Sequence, residues 1–318
     1  MKSMKDKNKK KENIIFVFLT QFVRIEHVFG WSVVSFGGFI LGMTSLILYD
    51  YLFPFIVFSI STFCIISFTF SINNYYDADS DKINPRRKDY NAIASGKISK
   101  KTGIILNISL VIIPIISSYI YRFDVFLLCI LFLAWMWLYS SPPLRLKSRP
   151  GLDIIWHFFA FILIVLWGSL IAGKISLINW LAAISLGAFS LIGQVENHIY
   201  DYSSDKKTGT NTLAVKIGLE KTKKILTILV FFHIILLIPL IILYTISYYY
   251  SIIIVVIISI TGFIFFKYKR KEFTKQIFSV KYFTNIVGGS VYLSGLVYYI
   301  LFLLETPTLG LLNIFGVS

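Results

Sequence analysis

The chain is short of charge, of cysteine and of the compact motifs that mark soluble enzymes. Only 15% of its 318 residues are charged while 56% are hydrophobic, too little charge for the solvated surface of an ordinary soluble domain. Its two cysteines, Cys64 and Cys129, lie in apolar runs without metal-ligand spacing. Neither a disulfide nor a zinc site is implied, and both read as packing residues. No nucleotide-binding loop is evident, and the pairs Gly37-Gly38 and Gly288-Gly289 suit close helix packing instead. The acidic clusters lack the spacing and central glycine of a calcium-binding EF-hand.

What remains is an apolar, aromatic chain with 29 Phe and 19 Tyr, whose hydrophobic runs recur along its whole length. Several approach the roughly 20 residues that cross a hydrocarbon layer. The runs predict an all-α polytopic membrane protein with nine transmembrane helices, near 17–41, 51–76, 103–121, 123–140, 152–172, 177–200, 224–245, 248–266 and 282–304. A basic tail, 1–16, precedes this membrane domain of 17–304, and a short tail, 305–318, follows it. Polar residues interrupt the first, second and sixth spans, where facing lipid is costly and facing a polar cavity is not.

Acidic residues are also scarce, 16 against 31 Lys and Arg, which gives a net charge of +15. In a soluble protein that excess suggests nucleic acid, but its distribution argues against a nucleic-acid partner. Twenty-eight of the 31 basic residues fall in the N-terminal tail and in alternate loops, around Lys82–Lys101, Arg145–Arg149, Lys206–Lys224 and Lys267–Lys281. The positive-inside rule then places the N-terminus and the acidic clusters in the cytoplasm and the C-terminus outside. Arg24, Glu26 and His27 interrupt the first apolar stretch and no small-residue cleavage site follows, so it reads as a retained helix rather than a secretory signal.

Two clusters carry the chemistry. Asn73, Asp77 and Asp81 stand four residues apart at the end of the second span, and Asn197, Asp201 and Asp205 repeat that spacing at the end of the sixth. Residues so spaced share a helix face. Two such helices together offer four carboxylates to divalent cations, and oxygen donors favour Mg²⁺, or Mn²⁺, over softer metals. Because Mg²⁺ binds through a few carboxylates and phosphate oxygens, a lipid diphosphate fits better than a bare transported ion. Solvated capping at a helix end explains neither the repeat nor the Asn one turn deeper. Glu196 adds a carboxylate to the second cluster, as acceptor base, metal ligand or helix-packing partner. His198 lies beside that cluster but off its face, and His27, His157 and His233 read as packing or interface residues. Trp135 and Trp137 read as interfacial anchors.

These residues resemble the UbiA superfamily of intramembrane prenyltransferases. Asn73, Asp77 and Asp81 match its first motif and Asp201 and Asp205 its second. The stretch from Tyr139 through Arg145 to Lys147 and the Thr-Leu-Ala-Val segment ending at Gly218 match as well; Asn74 stands where many members have Asp and, with Asn73, Asn197 and Glu196, is a candidate for substrate binding. The resemblance spans roughly residues 17–304. It implies nine helices around a central cavity and Mg²⁺-dependent transfer of a prenyl group from an allylic diphosphate to a hydrophobic acceptor, with no obligate protein partner evident. Asp77 and Asp81 then hold one ion and Asp201 and Asp205 a second, with Asn73 and Asn197 as further donors. Arg145 and Lys147 contact diphosphate oxygens or serve only as positive-inside charges. Arg24 is a phosphate or acceptor-site residue or a partner of Glu26, and Tyr139 faces the reactive cation.

The favoured acceptor is an aromatic quinone precursor, with an isoprenoid chain or a glycerol ether lipid as alternatives. A transporter with intramembrane carboxylates or a noncatalytic lipid-binding protein leaves the paired motif unexplained.

Overall fold

The structure is a computed structural model and describes residues 13–45, 47–84 and 87–247. The described chain is helical throughout. A single turn, α1 (Ile14–Val17), runs into a π-helical segment, Phe18–Phe22, and is followed by α2 (Ile25–Gly42), α3 (Leu52–Ile83), α4 (Lys100–Tyr121), α5 (Phe123–Ser140), α6 (Leu152–Ala172), α7 (Leu177–Thr208), α8 (Leu213–Ile217) and α9 (Leu219–Ser247). Among the described residues seven helical stretches are long and apolar enough to cross a membrane, and no strand is present. In hydrocarbon every backbone amide must find a partner within the chain, and continuous helices provide one. The protein is an integral, multi-pass membrane protein.

The first seven expected spans correspond to these helices; those near 248–266 and 282–304, and the C-terminal tail, lie outside the described residues. Two differences matter. The first span is broken at Arg24, whose backbone is left-handed (φ 56°), so Arg24 precedes α2 instead of lying within a helix. The second span runs on to Ile83, keeping Asn73, Asp77 and Asp81 on one unbroken helix.

Local chemistry sets several ends. The Ser99 hydroxyl accepts the Thr102 amide at 3.0 Å to start α4. The Asn179 side chain accepts the Ser176 amide at 2.8 Å to start α7. At the far end of α7, Gly209 takes φ 70° and closes the helix in the left-handed conformation that glycine adopts without strain. Only Arg122 separates α4 from α5, bonded through two guanidinium nitrogens to Asp124 at 2.8 and 2.6 Å.

Lipid is as apolar as a side chain, so helix association in a membrane depends on close packing and polar ties. The seam between α2 and α6 uses both. A Cβ at Gly168 would collide with the Ser35 carbonyl oxygen, and one at Gly38 with that of Val165. Here the sequence expectation for Gly38 holds. Ser35 donates to the Ile164 carbonyl and Ser169 to that of Gly38, each at 2.9 Å. Cys64 and Cys129 are free and buried, as expected of packing residues.

Trp135 differs from its expected role as an interfacial anchor. Its indole donates to the Trp156 carbonyl at 3.1 Å, and the Trp156 indole returns a bond to the Trp135 carbonyl at 2.7 Å, so the pair ties α5 to α6. Buried indole N–H groups need acceptors, and each finds one in the other residue's backbone.

Candidate active site

The end of α3 is enclosed on three sides. The Phe18–Arg24 segment covers one, the loop after α3 another, and the loop joining α5 to α6 the third. Together with the end of α7 they surround a cavity of about 910 Å³. Its lining includes Asn73, Asp77 and Asp81 from α3, Arg24 before α2, Tyr139 from α5, Arg145 and Lys147 after it, and Arg87.

Asp77 is the centre of this arrangement. Arg145 Nη2 approaches Asp77 Oδ1 at 2.7 Å, and Lys147 Nζ approaches Oδ2 at 2.5 Å while also donating to Asn73 Oδ1 at 2.9 Å. Burial pulls the Lys147 ammonium below the usual lysine range, against the opposing pull of the Asp77 carboxylate. Arg145, like Arg24, has a left-handed backbone (φ 39°), a conformation that costs an ordinary residue about 1 kcal/mol or more. The Arg145 Nε–H is buried with no hydrogen-bond acceptor. The charged groups are thus held at the cavity despite local backbone strain and an unsatisfied donor.

Asn74 and Asn91 brace the first motif and do not face the cavity. Asn74 accepts from Arg24 Nη2 at 2.9 Å and donates to the carbonyls of Gln21 and Phe22 at 2.7 and 3.0 Å, which pins the Arg24 break to α3. Asn91, in the loop after α3, donates to Asp81 Oδ2 and to the Asn74 carbonyl, each at 2.9 Å. Its own oxygen accepts the amides of Ile93 and Ala94 at 3.0 and 3.1 Å. Sequence reasoning missed Asn91 because it sits outside the four-residue spacing; its one signal is an Asn in a loop otherwise dominated by basic residues. Arg87 was seen only as part of a basic run.

The second motif is placed differently. Asn197 and Asp201 are exposed and Asp205 is half-buried, and none of these three, nor Glu196, lines the cavity. What α7 presents there is Gln194 and His198, joined from α6 by Asp153 and from the segment beyond α7 by Thr210, Asn211 and Thr212. Among the described residues no three His, Cys, Asp or Glu side chains converge as a metal cluster. His157 is half-buried against Tyr139 and Trp156, and His233 is buried against Phe189, in keeping with packing roles. Tyr139 itself stacks on Trp156 with ring centres 4.1 Å apart. His27 is exposed, stacks on Phe70 and borders the cavity.

Fold and site together define a polytopic helical membrane protein with a charged cavity at one end of an apolar bundle. The chain belongs to the UbiA prenyltransferase family, whose model matches residues 28–287. It shares its fold with a UbiA homolog from Archaeoglobus fulgidus solved with GPP and Mg²⁺, at a TM-score of 0.65 and 19% identity, covering 89% of this chain and 98% of that one. Among curated proteins it is 34% identical over 161 residues to the digeranylgeranylglyceryl phosphate synthase of Korarchaeum cryptofilum, covering 50% of this chain and 54% of that protein. It is 25% identical over 173 residues to the lycopene elongase/hydratase of Corynebacterium glutamicum, covering 50% and 56% respectively. The chain thus spans about half the length of these curated relatives.

Proposed function

We propose that the protein transfers a prenyl group from an allylic polyprenyl diphosphate to the hydroxyl of a glycerol ether lipid that carries a phosphate. The observation that carries prenyl transfer is the environment of Asp77, a carboxylate shared by Arg145 and Lys147 beside Asn73 and Asp81 at the head of an apolar bundle. The ether-lipid acceptor is favoured over the aromatic quinone precursor by the likeness to a digeranylgeranylglyceryl phosphate synthase. A product so named carries two prenyl chains on one glyceryl phosphate, so its synthesis ends by adding a chain to a singly prenylated acceptor. Arg24 and Arg87, lining the cavity beyond the cations at Asp77, suit a second phosphorylated substrate.

The side chains fit a Mg²⁺–diphosphate partner. Asn73, Asp77 and Asp81 offer hard oxygen donors on successive turns of one helix, and the unpaired Arg145 Nε–H supplies a donor for a phosphate oxygen. Asp77 and Asp81 would hold one ion. Asp201 and Asp205 would hold another, with Asn73 and Asn197 as additional donors, which requires the end of α7 to turn toward the cavity. Bound Mg²⁺ supplies neutralisation of the charge that grows on the leaving group.

The remaining chemistry is assigned to the protein. Arg145 and Lys147 neutralise the diphosphate as the allylic C–O bond breaks and the electron pair leaves with it. Tyr139 borders the carbon that becomes electron-poor, and the apolar bundle shields it from water. The acceptor oxygen then donates a pair to that carbon, forming the ether bond, and its proton passes to the departing diphosphate. The nine-span count and the cytoplasmic placement of the site belong to the same proposal.

The test is pyrophosphate release and lipid mass from protein in nanodiscs supplied with geranylgeranyl diphosphate and Mg²⁺. Singly geranylgeranylated glyceryl phosphate, a phenolic quinone precursor and lycopene are offered in parallel. A diether product from the first supports the proposal. Product from another acceptor alone reassigns the substrate, and no product or pyrophosphate release with any of them defeats prenyl transfer.

A further inference from the structure

We propose that His198, held by Asp153, is a positioning residue that takes and orients the acceptor hydroxyl. His198 and Asp153 are 6% and 5% exposed, and both line the cavity that contains Asp77. They come from different helices, α7 and α6, and meet with His198 Nε2 at 2.9 Å from Asp153 Oδ2. The other Asp153 oxygen accepts the Gly151 amide at 3.0 Å, which fixes the carboxylate at the start of α6. In the tautomer that gives Nε2–H to Asp153, Nδ1 is left as a hydrogen-bond acceptor. That Nδ1 is buried and has no hydrogen-bond partner.

A link between α6 and α7 needs only the Nε2 contact, and Gln194 already adds a second, longer one from its amide to Asp153 Oδ2 at 3.4 Å. His233 also has buried nitrogens without a hydrogen-bond partner, but it packs on Phe189 and does not line the cavity; at His198 the open nitrogen belongs to a cavity-lining residue, where a hydroxyl can use it. The surroundings suit a lipid with a polar head. Gln194 and Tyr139 line the same cavity, and the bundle that carries it is apolar. The chemistry recognised is a hydroxyl on an otherwise hydrophobic molecule. This inference rests on prenyl transfer to a hydroxyl-bearing acceptor and adds the residue that orients it.

The variants His198→Gln and His198→Asn separate the two roles. Gln keeps an N–H where Nε2 stood and so keeps the Asp153 bond, but it places no acceptor at Nδ1. Asn places an acceptor oxygen near Nδ1. In the nanodisc assay the Gln variant is expected to raise the acceptor KM about tenfold, the size of one lost hydrogen bond. Its prenyl-diphosphate KM and its thermal unfolding midpoint stay at wild-type values, and Asn recovers part of the acceptor KM. A Gln variant with wild-type acceptor KM overturns the proposal, as does an equal rise in KM for both substrates. If the wild type rejects the glyceryl phosphate lipid but prenylates the phenolic compound, the ether-lipid assignment fails and the same comparison on the phenol decides the role of His198. Failure with both hydroxyl acceptors overturns both readings.

Discussion

The two acidic motifs have the same spacing and different surroundings. On α3, Asp77 and Asp81 are each 7% exposed and bonded to Arg145, Lys147 and Asn91. On α7, Asp201 is exposed, Asp205 half-buried, and the cavity is met instead by Gln194 and His198. A four-residue repeat determines which side chains share a face; it does not determine where that face points. The end of α3 is enclosed by three polar segments, each supplying partners for its carboxylates. The end of α7 turns its Gln194 and His198 side toward Asp153, which carries Asn197 and Asp201 toward the surface. One motif is enclosed by polar partners at the cavity, and the other stands mostly at the surface, outside the cavity lining.

The strongest challenge to that contrast is to remove the divalent ion. Chelation is expected to abolish product formation and Mg²⁺ to restore it, and activity that survives exhaustive chelation would leave both motifs without their assigned role. Next, Asp77→Asn keeps shape but removes the charge shared by Arg145 and Lys147, and pyrophosphate release should fall roughly 10²–10³-fold. Asp201→Asn should cost roughly 10²-fold if α7 is recruited. Spin labels at Ser80 and Ser204 should then move closer when Mg²⁺ and diphosphate are added. Unchanged spacing together with near wild-type activity would make the second motif a solvated helix end. Lys147→Ala should weaken binding of the prenyl diphosphate about 10-fold, read as KM. The smallest effect is expected away from both motifs. Gly168→Val should destabilise the α2–α6 seam by about 1–3 kcal/mol, read as a lower unfolding midpoint in detergent.

Much of this was legible from the sequence because hydrocarbon permits few alternatives. Long apolar runs with little charge had to be spanning helices, and the first seven expected spans each correspond to one. The first motif was also legible, since Asp77 and Asp81 lie where an apolar run ends and their basic partners lie in the short stretch Arg145–Lys147. The break at Arg24 was not, because its cause is a distant contact with Asn74. Asn91 and the Asp153–His198 pair were missed for the same reason: each depends on which elements meet, and neither has a local period. Trp135 was misjudged because an indole near a helix end looks the same whether it faces the interface or a neighbouring carbonyl. The acceptor lay further out of reach, since nothing in the spacing of the acidic motifs distinguishes one acceptor from another.

The glycine seam between α2 and α6 has a mechanical consequence. With backbone against backbone and two serine ties across it, α2 cannot slide or roll on α6 without losing several contacts at once. Arg24, at the head of α2, is therefore mounted on a fixed strut, and so is Asp153 at the head of α6. The clamp extends to α7, where a Cβ at Gly187 would run into the Phe158 carbonyl oxygen of α6, so the side chains that all three helices bring to the cavity stand on one frame.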